Sequence, residues 1–296
     1  MPQNGIVLQP RDLDFLRLLL HTRILTLKHA ATLIFNGSQE AAKKRIQKLK
    51  AAGLVLERRR KAYEAGVLFL SKRGFECLRE REGLPEECAA IPSFSKRAQI
   101  SELTLRHEME VLDVKTAFHE AMKKQEKSSL AEFSTWPRLY EFSVRDSDAR
   151  YSGIKTVKPD GFIRLHERDA EGVTWEHLFF LEIDRSTEKL ETLIQKAVSY
   201  NRFYREGGMA VRFGKTADDF KEFPFRVLIV CKSRERRDNI ARMLVEMQTP
   251  ILTQVCLSTQ KEICADPFGH VWRLPADYAA GTAAHGAGRS ILELGA

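Results

Sequence analysis

The segment from Gln39 to Ala52 constrains the fold more than any other. It is rich in helix formers, Ser38 can cap its start, and Gly53 can end it. At about 100° per residue, only Ala42, Ile46 and Leu49 fall on one narrow apolar stripe, while Glu40, Lys43, Lys44, Gln47 and Lys48 occupy the remaining face. Such a helix covers a core along one line and leaves the rest of its surface to solvent. Its neighbours must therefore supply the core. Upstream, Leu13, Phe15, Leu16, Leu19 and Leu20 recur at helical spacing after Pro10, and Thr26 can cap a short helix from Leu27 to Ile34 that ends at the Asn36-Gly37 turn. Downstream, Leu54–Glu57 and Val67–Leu70 read as two strands around Arg58-Arg-Arg-Lys61, and Ser71-Lys-Arg-Gly74 opens a closing helix.

Charge is concentrated in the same region. Of a net +8 for the chain, residues 1–82 carry 17 Lys/Arg against 8 Asp/Glu, a net of +9, which leaves −1 for all that follows. A folded module with this excess attracts polyanions. Three helices followed by a basic hairpin resemble the winged helix-turn-helix, in which the third helix enters the major groove and the wing holds phosphates. The expected contacts to double-stranded DNA are Gln39, Glu40, Lys43, Lys44, Gln47 and Lys48 on the helix and Arg58, Arg59, Arg60 and Lys61 on the wing. A winged helix serving protein contacts is the alternative. Basic side chains on both DNA-facing elements favour DNA.

With 296 residues and 43% hydrophobic composition, the chain can bury a substantial core, and its length favours two domains. No stretch approaches the roughly 18 uninterrupted apolar residues of a membrane span, and residues 1–20 lack the features of a signal peptide, so a cytoplasmic protein with no membrane partner is expected. Five cysteines without a CxxC pair suggest ordinary thiols. Residues 83–100, with Pro85 and Pro92, read as a linker. The expected organisation is a DNA-binding domain at 1–82, a linker at 83–100, an α/β domain at 101–278 and a flexible tail at 279–296.

Within 101–278, Ser101 can cap a long helix to about Lys127. Strand-like runs follow at Leu139–Val144, Val157–Leu165 and Leu178–Ile183, then a helix from Thr187 to Arg205, Val227–Cys231, a helix from Arg234 to Met247, and Val255–Ser258. This α-β-β-β-α-β order predicts a mixed sheet flanked by helices, and with the N-terminal module an α+β protein. Asp160 opens one strand, and Glu182 and Asp184 project from one side of the end of the next, so three carboxylates could converge. Oxygen ligands of this kind suit Mg²⁺, which stabilises charge on a phosphate and activates water. An exposed strand end, with Asp184 or Ser186 capping the next helix, is the alternative.

Pro159-Asp160 followed by Glu182-x-Asp184 in this frame resembles the PD-(D/E)XK nuclease superfamily. Asp184 stands where that motif has lysine. Some members of the superfamily carry the lysine on the following helix, which makes Lys196 the counterpart here; a merely solvated lysine on an amphipathic helix is the alternative. The resemblance implies catalytic roles for Asp160, Glu182, Asp184 and Lys196, and Glu108, in Arg106-His-Glu-Met109, as a fourth metal ligand. Across residues 8–275 the chain resembles the replication-relaxation family of plasmids and conjugative elements. Leu8-Gln-Pro-Arg-Asp12, Ala42-Lys-Lys-Arg-Ile46-Gln-Lys-Leu49, Gly53-Leu54, Leu70-Ser-Lys-Arg-Gly74, Arg106-His-Glu108, Pro159-Asp160 and Phe180-Leu-Glu-Ile-Asp-Arg185 carry that resemblance. It implies a part in plasmid replication or DNA transfer, or in transcriptional control of such an element, with plasmid replication or transfer proteins as partners. Two classes stay open: a DNA-binding module whose second domain is a degenerate nuclease fold used for homodimerisation or partner contacts, and a Mg²⁺-dependent endonuclease.

Overall fold

The computed structural model describes residues 6–58, 64–83, 99–135, 140–146, 153–279 and 288–294. The chain is α+β and divides into two compact units, residues 1–119 with 135–138, and residues 120–134 with 139–296.

In the first unit the elements are α1 (Pro10–Thr22), β1 (Leu25–Thr26), α2 (Leu27–Ile34), α3 (Gln39–Ala51), β2 (Val55–Glu57), β3 (Val67–Leu70), α4 (Lys72–Glu82) and α5 (Glu102–Met122). Helix starts follow the local chemistry. The hydroxyls of Thr26, Ser38, Ser71 and Ser101 accept from the backbone N–H groups of His29 (3.3 Å), Ala41 (3.3 Å), Gly74 (2.8 Å) and Thr104 (3.1 Å), satisfying donors that a helix start leaves open. Gly53, at φ +73°, ends α3 in a backbone conformation costly for other residues. The strands form an antiparallel sheet in the order β1-β3-β2, with Leu25 opposite Leu68 and Val55 opposite Leu70. β1 is absent from the sequence reading because two residues have no period to detect.

The first core gathers Phe15, Leu16, Leu19 and Leu20 of α1, the Ala42-Ile46-Leu49 stripe of α3, all four residues of β3, and Leu78 of α4. Leu105 and Leu112 of α5 join it. The helix expected to open the second domain at residue 101 therefore belongs, through His119, to the first unit. Its apolar spacing predicted a buried face but could not say which core would bury it. Most of the expected linker, residues 84–98, lies outside the described residues.

The second unit is built on a five-stranded mixed sheet in the order β10-β9-β8-β7-β4. β4 spans Ser128–Ser134, β7 Gly161–Arg168, β8 Thr174–Asp184, β9 Arg226–Cys231 and β10 Val255–Thr259. β8, β9 and β10 run parallel, and β4, β7 and β8 antiparallel. β5 (Phe142–Asp146) and β6 (Gly153–Val157) pair separately as a two-stranded antiparallel sheet. The run expected as one strand over Val157–Leu165 is thus split between β6 and β7. Pro159 lies at the break; its fixed φ and missing N–H cannot serve an interior ladder. α6 (Leu190–Arg205), α7 (Gly208–Arg212), α8 (Arg234–Glu246) and α9 (Gln260–Ala265) complete the unit. Leu193, Ala197, Tyr200 and Phe203 of α6, with Ile240 and Leu244 of α8, cover alternate strand residues Phe180, Val227, Ile229, Val255 and Leu257.

The expected flexible tail needs correction over Gly288–Leu294. Arg289 and Trp272 exchange backbone hydrogen bonds of 2.9 and 3.2 Å, and Ile291 and Leu294 are buried, so this segment is anchored despite the Gly/Ala-rich stretch before it. Cys77, Cys231 and Cys256 are free thiols, and burial pushes Cys256 up to about 12. Among the described residues no helix is long and apolar enough to cross a membrane.

Candidate functional site

In the first unit, α3 sorts its residues as the stripe requires. Ala42, Ile46 and Leu49 are buried, while Gln39, Glu40, Lys43, Lys44, Gln47 and Lys48 are all exposed. Glu40 and Lys44 pair along the face at 2.7 Å, an exposed contact worth little to stability. The helix is fixed from its flank by Arg45, a residue given no role in the sequence reading. Its guanidinium grips the fully buried Asp12 carboxylate in bidentate fashion, with Nε donating to Oδ1 at 2.7 Å and Nη2 donating to Oδ2, and also donates to the Val7 carbonyl at 2.8 Å. Asp12 further accepts the Gln9 N–H at 2.6 Å, so one buried carboxylate joins the start of α1 to α3. The signal available in sequence was an acid in the first turn of α1, which reads as a helix-end charge and not as a tether.

The expected wing is only partly visible. Arg58 lies 3.7 Å from Glu102 and donates to the Ile100 carbonyl at 3.4 Å, so its guanidinium is engaged at the start of α5. Arg59, Arg60 and Lys61 lie outside the described residues. Glu108 is held by Arg23 at 3.1 Å, and Asp113, one turn further along α5, meets His29 of α2 at 3.0 Å. Glu108 therefore joins elements of the first unit, where the sequence expectation had made it a metal ligand.

The second unit gathers charge at the end of β8. Phe180, Glu182 and Asp184 share the face covered by α6 and α8, as the two-residue period dictates. Asp160, just before β7, is pinned to β8: its N–H donates to the Leu181 carbonyl at 2.9 Å, and its Oδ2 accepts from the Ile183 N–H at 2.7 Å. Glu182, only 2% exposed, accepts from the Tyr200 hydroxyl at 2.6 Å and from Lys196 Nζ at 3.3 Å. Lys196 also lies 3.4 Å from Glu188. Burial, reinforced by the charge of Asp160, pushes the Glu182 carboxyl up to about 7, against the opposing pull of Lys196 and Tyr200. Glu182, Asp160 and Glu188 hold the Lys196 ammonium above its usual range in spite of burial. Lys196 is thus a charged donor at neutral pH.

Asp184 does not join this group. Its Oδ2 accepts from Arg236 Nε at 2.7 Å and its Oδ1 from Nη2 at 3.2 Å, while the Ser186 N–H donates to Oδ1 at 3.1 Å. The carboxylate is spent on a bidentate pair with α8 and on the turn after β8. The expected convergence of Asp160, Glu182 and Asp184 is corrected accordingly. Asp160 and Glu182 form the pair, Lys196 joins it, and Asp184 is held away by arginine. Among the described residues no group of three or more His, Cys, Asp or Glu side chains is arranged to hold a metal ion. The residues present do not fit the three-carboxylate Mg²⁺ site that the sequence suggested.

A family model described as replication-relaxation matches residues 16–216. No curated protein and no solved structure matches the chain. The matched span is more than half of the chain and takes in the second half of α1, all of α2 and α3, the Asp160-Glu182-Lys196 group and the helix that carries its lysine. The chain belongs to the replication-relaxation family.

Proposed function

We propose that the protein binds double-stranded DNA of a plasmid or other mobile element through a winged helix formed by α1 to α3 and the β1-β3-β2 sheet, and acts in that element's replication, relaxation or transfer, or in its transcriptional control. The observation that carries the reading is the surface of α3. Six polar or charged side chains, three of them lysines, stand exposed on a helix whose Ala42-Ile46-Leu49 stripe is buried. A helix anchored along one line and basic on the opposite side suits a major groove, where amide and ammonium groups meet base edges and phosphates. The net +9 of residues 1–82 supplies the long-range attraction. The test is an electrophoretic mobility titration with duplex DNA across a range of salt concentrations. The parent should bind with an affinity that falls steeply with salt. Replacing Lys43, Lys44, Gln47 and Lys48 together by Ala should weaken binding and flatten the salt slope; equal affinity and slope would overturn the assignment.

The Asp160-Glu182-Lys196 group favours a second reading, a DNA endonuclease of the PD-(D/E)XK type. Lys196 reaches the buried glutamate from the helix after β8, as that resemblance implied. Held charged, its ammonium suits stabilisation of negative charge on a phosphate and cannot serve as a base at neutral pH. Among the described residues the three-carboxylate ligand set of a Mg²⁺ site is not assembled. Nicking of supercoiled plasmid by the purified parent, with and without divalent cations, decides between the readings. Nicking that Lys196→Ala abolishes while DNA affinity is unchanged would establish the enzyme; no nicking under any condition leaves the binding protein.

A further inference from the structure

β9 begins opposite Phe179, so on that side the first residues of β8 have no neighbouring strand among the described residues. A cavity of about 310 Å³ occupies this notch in the second unit, bounded by β8, the last turn of α6 and the segments leading into β9 and β10. Its volume lies at the lower end of the range for small-ligand sites. Three features of the lining are unexplained by the fold. Gln254 buries both amide atoms without a hydrogen-bond partner. His177 is 5% exposed and leaves Nδ1 buried and unpartnered, while its Nε2 meets the Glu167 carboxylate at 2.9 Å. Asn201 and Arg205 of α6 face the cavity, and no ion pair holds the Arg205 guanidinium among the described residues. The aromatic wall is Tyr204 and Phe225, set edge to face at 5.8 Å. Other charged lining groups are already occupied: Glu176 by Arg164 and His166, and Arg226 by the carbonyls of Thr253 and Leu294.

A buried amide without partners costs free energy unless a ligand completes it. An ionised carboxylate accepts only, so the bond to Glu167 places the proton of a neutral His177 on Nε2 and makes Nδ1 an acceptor. The cavity therefore offers a paired donor and acceptor from Gln254, a further acceptor from His177, flat apolar surface from Tyr204 and Phe225, and a guanidinium at its rim. Together these complement a base that presents an amino donor beside a ring-nitrogen acceptor, carried on a phosphate. We propose that this cavity binds a nucleotide, with the base against Gln254 and His177 and the phosphate on Arg205. The nucleotide is either a free monophosphate or an unstacked residue of single-stranded DNA. The site is separate from the α3 surface and does not depend on that reading.

The test is equilibrium dialysis of the full chain against AMP and dCMP, together with fluorescence titration using short single-stranded oligonucleotides, with inorganic phosphate as a control. Saturable binding of a mononucleotide identifies a free nucleotide as the ligand; binding of the oligonucleotide alone identifies the DNA strand. In either case Gln254→Leu and the exposed-site variant Arg205→Gln should each weaken binding about tenfold or more. Because Gln254→Leu removes two unsatisfied buried atoms, it should keep or raise the melting temperature while losing the ligand, which separates recognition from a structural role. The α3 variant lacking Lys43, Lys44, Gln47 and Lys48 should retain mononucleotide binding. Absence of saturable binding to any of these probes, phosphate binding as tight as AMP binding, or affinity unchanged in both cavity variants would overturn the proposal.

Discussion

Two buried acids show how far a partner decides what a carboxylate does. Asp12 and Asp184 are both taken up by arginine in bidentate geometry, whereas Glu182 shares its charge with a lysine, a tyrosine and the nearby Asp160. Removing the cation from a buried pair strands the other charge. Arg45→Ala should therefore destabilise the first unit by about 3–5 kcal/mol in urea unfolding, far more than removing the exposed partner Lys44 from Glu40, which should cost about 1 kcal/mol or less. Glu182 gives a pH prediction with a definite sign. Its folded carboxyl is raised from the ordinary 4.5 to about 7, so over that interval the unfolded chain ionises while the folded one keeps its proton. Its favourable contribution is complete below about 4.5 and is lost as pH rises towards about 7. Comparison of unfolding midpoints between pH 4.5 and 8 should show the parent losing stability relative to Glu182→Gln. Parallel curves would remove the assignment.

Among the elements, α3, β2 and α4 meet in a close junction. Ser71 closes it by donating to the Gly53 carbonyl at 2.7 Å and accepting from the Gly74 N–H. A Cβ on Gly74 would lie 2.3 Å from the Leu54 carbonyl oxygen and 2.8 Å from the Leu70 side chain. Replacing glycine by alanine inside a helix ordinarily stabilises by about 1 kcal/mol. Here the backbone contact reverses the sign, and Gly74→Ala should destabilise by about 1–3 kcal/mol in chemical denaturation. A stabilised variant would show that α4 can shift away from β2.

For the whole molecule, the consequential finding is that the first unit runs through α5 to His119. Leu105 and Leu112 fill its core, and Arg23 and His29 are engaged by Glu108 and Asp113. A fragment ending at residue 82 leaves those positions open. Each fully buried leucine contributes about 1.5–3 kcal/mol, so residues 1–82 should be several kcal/mol less stable than residues 1–119, judged by urea midpoints. DNA affinity and its salt dependence should reside in the longer fragment. Equal stability of the two would mean that α5 is an ornament of the unit and not part of its core.

The sequence by itself determined whatever depends on neighbours a few residues apart. The α3 stripe and its exposed face, the caps at Thr26, Ser38 and Ser101, the stop at Gly53, and the placing of Glu182 and Asp184 on one side of a strand follow from helical and strand periods and from short polar contacts. The approach of Lys196 to Glu182 was legible for a related reason, since the two lie 14 residues apart on consecutive elements and the superfamily pattern pointed to that helix. Tertiary structure alone decided which core receives α5, which acids are withdrawn from the Asp160-Glu182 group, and where the two-residue strand β1 pairs. Asp184 meets Arg236 52 residues away, and Asp12 meets Arg45 33 residues away. A charged side chain can satisfy itself with any opposite charge that packing brings within reach. No period encodes that choice; it is fixed only when the elements dock and the buried carboxylates must find a cation.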